Sequence, residues 1–384
     1  MGYLGEYDNN LKITMNKIRV NIATSHRFHL LDLARELDKQ GFDVRFYSYV
    51  PPKRCLRFGL PRKCCSSLFW IVFPFLVLQK LFGYKSTIVK YRNQIMDYYL
   101  SQFMRPCDVY IALGTVYKHS FVTAKKRFGA KTILEWGSMH IDEQQEILAN
   151  CHGTLNKEYF NKRSREGYEI VDYIAIPAIN TRNSFVKHGI SEEKLLQNPY
   201  GVDFSMFYPD KKQNKIYDLI MVGNWSRQKG CDLIVEAVKI LNLKFIHVGA
   251  IVDLPIPKES NFTHIDPVDQ PELVKYYNMA KIFILPSRQE GLAMVQVQAI
   301  ACNLPMIGSP HSGALDLKGM VECPEFITII QDWTVSSVVS AINDAMALQK
   351  TQKDNLYAGN ALYNLTWEAY GKRYTKGITE ILSL

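Results

Sequence analysis

The feature that most constrains this chain is an alternation of short apolar segments with amphipathic ones, run through twice. Residues 17–23 have the length and composition of a strand. Residues 30–40 follow with Leu30, Leu31, Leu33, Ala34 and Leu37 on one helical face, and residues 44–49 form the next strand. Strands over 109–113, 132–135 and 173–176 continue the series. A strand, a helix and another buried strand make the repeating unit of a parallel sheet. The pattern breaks at Asn198-Pro-Tyr-Gly-Val-Asp203 and the polar run 209–215, where Pro and Gly cluster as they do at domain junctions. It restarts with strands over 218–223, 244–248, 281–285 and 305–307 and helices over 231–241 and 292–302. Two doubly wound, Rossmann-like α/β domains are therefore expected: a disordered or extended tail over 1–16, a first domain over 17–200, a second over 201–365, and a closing segment over 366–384.

Charge separates the halves. Of 46 Lys and Arg against 37 Asp and Glu, 29 and 19 lie before Met206, so nearly all of the +9 excess belongs to the first domain. Between Lys53 and Lys131 there are fifteen basic residues and two acids, Asp97 and Asp108. Such a stretch attracts an anionic membrane, nucleic acid or a phosphate-bearing substrate; no nucleic-acid-binding module accompanies it, so a nucleic-acid partner is not expected. Within it lies the apolar run 68–82, too short to span a bilayer and interrupted by Pro74. It fits either a buried helix pair or an interfacial segment with Trp70 at the headgroups, flanked by Arg62, Lys63, Lys80 and Lys85. Cys64 and Cys65 beside it are candidate acylation positions. The eight cysteines form no CxxC pair, and the first apolar run is only strand-length, so a reduced cytosolic setting is expected, at most peripheral on the inner face of a membrane.

Ligands of open α/β sheets bind beyond the carboxyl ends of the strands. No GxGxxG follows the first strand, which disfavours a nicotinamide dehydrogenase. Three loops carry chemistry instead. Gly223-Asn-Trp-Ser-Arg-Gln-Lys-Gly230 leaves a strand and opens a helix, with Arg227 and Lys229 placed to cradle a diphosphate. Glu290-Gly291-Leu292 turns from a strand into a helix; free N–H groups from Gly291 to Met294, Gly291 and Leu292 foremost, suit an anion, while Glu290 suits sugar hydroxyls. Gln298 lies eight residues further on, positioned to bracket a nucleotide sugar with Glu290. Glu135-Trp-Gly-Ser-Met-His140 follows a first-domain strand, and His140 is either a ligand of the transferred sugar or a structural histidine. His26 and Arg27, after the first strand, point to the cleft between the domains.

Together these loops resemble the retaining nucleotide-sugar glycosyltransferases of family 4, of the glycosyltransferase group 1 class, with the GT-B fold of two Rossmann-like domains facing across a cleft. The resemblance runs from about Lys17 to the end. Asn198–Asp203 looks like that family's interdomain junction, Gly223–Gly230 like its diphosphate loop, Glu290–Pro305 like its Glu-x7-Glu element, and Thr366–Leu382 like its terminal helix, which returns to the first domain. It implies that Lys229 contacts the donor diphosphate, with Arg227 assisting from another point of the turn because Asn224 occupies the usual arginine position. It further implies Glu290 on the donor sugar, Gln298 in place of the second acid on the ribose, and His140 on the sugar or acceptor side. The implied reaction moves a hexose from a UDP- or GDP-sugar to a glycan or lipid-linked acceptor with retention, without a metal or other cofactor. A non-catalytic sugar-nucleotide-binding scaffold and a sugar-nucleotide epimerase are the alternatives on the same fold.

Overall fold

The computed structural model describes residues 17–83, 85–114, 117–152, 158–350, 356–357 and 360–383; the expected tail over 1–16 lies outside them. The first domain is a parallel sheet of β1 (Arg19–Ala23), β2 (Asp43–Ser48), β3 (Cys65–Ser67), β4 (Val109–Leu113), β5 (Lys131–Glu135), β6 (Tyr173–Ile176) and β7 (Leu195–Gln197). Its order is β3-β2-β1-β4-β5-β6-β7. The second comprises β8 (Tyr217–Val222), β9 (Phe245–Val248), β10 (Phe262–Ile265), β11 (Ala280–Leu285), β12 (Met306–Gly308) and β13 (Ile327–Ile329), in the order β10-β9-β8-β11-β12-β13. Val20 pairs with both Val44 and Val109, and Leu219 with both Phe245 and Ile282, so the first strand of each domain is central. Val20, Ile22, Leu219 and Ile220 are fully buried, as strands covered on both faces by helices require. The chain has the GT-B fold.

The central strands and the helices 30–40 and 231–241 were expected within two residues of where they lie. The edge strands β3, β7, β10 and β13 were not expected, because three or four residues with few apolar positions carry little periodicity. The helix expected over 292–302 is Met294–Ala301: Ala293 keeps an extended backbone, so Gly291 and Leu292 belong to the turn before it.

The two domains are joined by a double crossing. Val202 N donates to Leu365 O (2.8 Å), and an added Cβ at Gly201 would lie 2.6 Å from Trp367 N, so only glycine lets the strands of chain pass. The helix Trp367–Ser383 then packs on the first domain's helix Phe28–Lys39. Gly371 meets Glu36, and Arg373 donates to Asn198 Oδ1 (2.7 Å) and Pro199 O (2.8 Å). Beneath this contact His29 and Glu135 bond at 3.0 Å in the interior, and Tyr370 OH reaches the same carboxylate at 3.4 Å.

The apolar run forms the helix Phe69–Phe82, paired with Ser86–Phe103 between β3 and β4. Its inner face is anchored by Val72 and by Gln79, whose Oε1 accepts from the buried Arg92 (3.3 Å). Its outer face is bare. Trp70 is 79% exposed and Leu81 69%, and Phe73, Val77 and Phe82 are exposed with them. The helix is therefore not the buried one of the first alternative. Among the described residues no helix is long and apolar enough to cross a membrane. Cys64 is buried and its thiol is pushed up to about 12 by that burial, which removes it as an accessible acylation position; Cys65 is half-buried.

Candidate active site

Strand order reverses between β1 and β4 and again between β8 and β11, the points at which a parallel sheet opens its ligand crevice. In the second domain the loops after β8 and β11 are locked to each other. Gly230 has a φ of 75°, and a Cβ there would sit 2.4 Å from Pro286 O, so the first loop rests directly on the second. Arg288 N donates to Gln228 O (2.8 Å) and Gln228 Nε2 to Gln289 Oε1 (2.7 Å). Ser226 Oγ accepts from Lys229 N and closes the turn Arg227–Lys229. This brings Lys229 Nζ into contact with a Glu290 carboxylate oxygen, each side chain 18% exposed. Burial pulls the Lys229 ammonium down to about 8, a shift that the touching carboxylate opposes.

The first domain reaches the same point. A Cβ at Gly291 would lie 2.1 Å from Gly137 O in the loop after β5, so glycine is required for the domains to meet. Asn180 Nδ2 donates to Glu290 O (2.8 Å), and Gln289 Nε2 bonds Ser138 Oγ. Glu290 is thus held from both domains. Among the described residues neither the Gly291 nor the Leu292 N–H is donated to another group.

Beside this contact a cavity of about 950 Å³ opens between the domains. Met294 and Gln298, one helical turn apart on one face, line its second-domain wall. Gln298 is buried, and its Oε1 accepts from Tyr277 OH (3.0 Å). Arg27 lines the opposite wall and donates across the cleft to Gln270 Oε1 (3.0 Å). His26 is exposed at the same loop, within hydrogen-bond distance of Tyr49 OH.

Two candidates stand apart. Arg227 lines a separate cavity of about 310 Å³ with Cys151, Arg288 and Trp333, and is not brought to the Lys229–Glu290 pair. His140 turns into the first domain, stacked on His188 with centroids 4.5 Å apart and packed against Tyr168 and Phe185. Its Nδ1 accepts from Asp142 N (3.3 Å). Burial, helped by His188, lowers its pKa to about 4, so the ring is neutral near pH 7. His140, Asp142 and His188 are also the one group among the described residues with ligand atoms close enough for a cation, within 4.8 Å of one another. There Arg165 already holds Asp142 and Glu143 holds His188, so the donors are committed to protein partners. Tyr277, Asn180 and Ser138 were missed from sequence; each lies on an ordinary helix or loop, with no spacing to mark it.

Residues 217–346, which contain Lys229, Glu290 and Gln298, match the family described as "Glycosyl transferases group 1". The second domain is a group 1 glycosyltransferase domain. A GDP-mannose-dependent alpha-(1-6)-phosphatidylinositol monomannoside mannosyltransferase of Mycolicibacterium smegmatis is 26% identical over 248 residues, 55% of this chain and 62% of that protein. A D-inositol 3-phosphate glycosyltransferase of Paenarthrobacter aurescens is 26% identical over 183 residues, 40% of this chain and 45% of that protein. The matched part of the chain spans under two thirds of these relatives. Sucrose-phosphate synthase from Thermosynechococcus elongatus shares the fold at a TM-score of 0.64 and 14% identity, with 96% of this chain and 100% of that one covered. The group 1 domain is thus the half that carries the locked pair of loops.

Proposed function

We propose that the chain is a glycosyltransferase that moves a hexose from a UDP- or GDP-sugar to a glycan or lipid-linked acceptor, with retention and without a metal. The observation that carries this reading is the Lys229–Glu290 contact at the seam where both domains touch. When the sugar–phosphate bond breaks, the leaving nucleoside diphosphate gains negative charge. Lys229 and the undonated N–H groups of Gly291 and Leu292 are fixed in advance to stabilise it, which is where preorganised donors lower a barrier most. Glu290, freed from Lys229 as the diphosphate takes its place, accepts hydrogen bonds from the sugar hydroxyls. Gln298 bonds the ribose while Tyr277 holds its oxygen. For same-face attack the departing phosphate takes the acceptor's proton, and no protein base is assigned. Turnover of a nucleotide-sugar panel tests this: acceptor-dependent transfer supports it, interconversion without acceptor makes the protein an epimerase, and binding without turnover makes it a scaffold.

The acceptor is met at an anionic membrane surface, at the cytosolic face. Trp70, Phe73, Val77 and Leu81 follow helical spacing on one exposed face, and no acid lies between Lys53 and Met96. Flotation with phosphatidylglycerol vesicles at low salt is expected to carry the protein with it, and Trp70→Ser with Leu81→Ser to abolish this while UDP and GDP binding stay unchanged. Failure of the wild-type protein to float removes the membrane from the reading.

A further inference from the structure

The first-domain wall of the 950 Å³ cavity carries Arg27, Arg35, Lys53, Arg54 and Arg57. Their arrangement differs from that of a solvated basic face. Asp32, 2% exposed, is shared between two guanidiniums, at 2.7 Å from Arg35 and 3.4 Å from Arg27. Arg35 is held further by Glu36 and by Phe58 O (2.9 Å). Arg27 Cζ sits over the Phe58 ring, 3.5 Å from its centroid, and its Nε is buried with no acceptor. A buried N–H left unbonded has lost its solvation and keeps its donor capacity for an oxygen brought into the cleft. On the neighbouring helix Pro52–Arg57, Lys53, Arg54 and Arg57 are exposed and take part in no ion pair among the described residues. Of the other acids on the wall, Asp203 accepts from Ser205 in its own turn (2.6 Å) and Asp269 is exposed on the second domain. The wall keeps a surplus of positive charge inside the cleft.

We propose that this wall is an anion subsite separate from the Lys229 turn, and that it takes a phosphate group of the acceptor. The inference rests on the transferase reading for the word acceptor alone; the subsite stands on the cluster. Gln298, which the transferase reading puts on the ribose, lies on the second-domain wall of this cavity and the cluster on the first-domain wall, so the cluster faces the donor across the cleft and is not part of the Lys229 turn. Planar guanidiniums converging from two helices match the oxygens of a phosphate mono- or diester, and Phe58 holds Arg27 in position for it.

The test uses the full chain and an Arg54→Gln/Arg57→Gln variant, both positions exposed and outside the core, with calorimetric binding of glucose 6-phosphate, glucose, UDP and GDP. Wild-type protein is expected to bind glucose 6-phosphate but not glucose, and the variant to lose about tenfold or more of that affinity while binding UDP and GDP as before. Vesicles of phosphatidylglycerol against phosphatidylcholine form the second arm. A loss confined to phosphatidylglycerol places the phosphate on a lipid, and a loss confined to glucose 6-phosphate places it on a soluble acceptor. An unchanged variant in both arms, or one that loses nucleotide binding instead, overturns the proposal. If neither protein binds UDP or GDP, the transferase reading fails while the phosphate arms still decide the subsite.

Discussion

The two domains share the order of six strands, to which the first adds β7 at its edge, yet they build their walls of the cleft in different ways. In the second, the residues at the cleft come from the loops directly after β8 and β11, the two central strands, and those loops are pinned to each other at Gly230 and Pro286. In the first, the cations come from the start of one helix and from a short helix after β2, and the histidine expected at the cleft is folded inward. The comparison teaches that adjacent strand exits can bring a cation and a carboxylate together from loops well separated in the chain, whereas the facing wall gathers its cations from two helices that follow one another in sequence.

The sharpest way to break this comparison is Glu290→Gln. Turnover is expected to fall by about 10²–10³ with thermal stability near wild type, and wild-type turnover would show that the locked loops do not form the site. Next comes Lys229→Ala, expected to weaken UDP and GDP binding by about tenfold to a hundredfold. In the wild-type protein the same lysine gives a pH signature. Because burial lowers its pKa, against the pull of Glu290, and only the ammonium grips an anion, affinity declines with rising pH earlier than it would for an exposed lysine; calorimetry from pH 6.5 to 9.5 checks this.

Two buried histidines, His140 in the first domain and His247 in the second, give a stability effect instead. His140 and His247 both have pKa values lowered to about 4 by burial, so the unfolded chain binds more protons than the folded one between about pH 6.5 and 4. Stability is therefore full above that window and drops as pH falls through it; His140→Asn should flatten part of the fall in thermal melts, and an unchanged profile would return His140 to the cleft. The smallest effect is expected at Gln298→Glu. A charged acceptor there strengthens a ribose bond by about 1 kcal/mol, a few-fold in donor affinity. A loss of binding would show that the cavity wall is tuned to a neutral side chain.

The two second-domain loops could be read in the sequence because their signals are local. A strand exit, a glycine and a lysine within eight residues bring Lys229 to the loop, and a Glu-Gly turn after another apolar strand brings Glu290. The contact between them was not legible, since it depends on Gly230 lying against Pro286. Arg227 shows the limit. Two residues from Lys229 in the chain, it leaves the turn on another side and joins Arg288 and Trp333. The apolar run 68–82 had two readings of equal standing in sequence; only the packing of Val72 and Gln79 against the body decides which face remains outside.

Hydrophobic period and turn chemistry by themselves determined the two parallel sheets and the loops at the strand ends, because those depend on neighbours a few residues apart. What the tertiary structure alone decided is which side chains share a space. Glu290 held from both domains, Arg27 stacked on Phe58 with its Nε unbonded, and His140 shut away beside His188 each arise from contacts between distant segments. Close packing allows one orientation for such groups, and no local pattern records it.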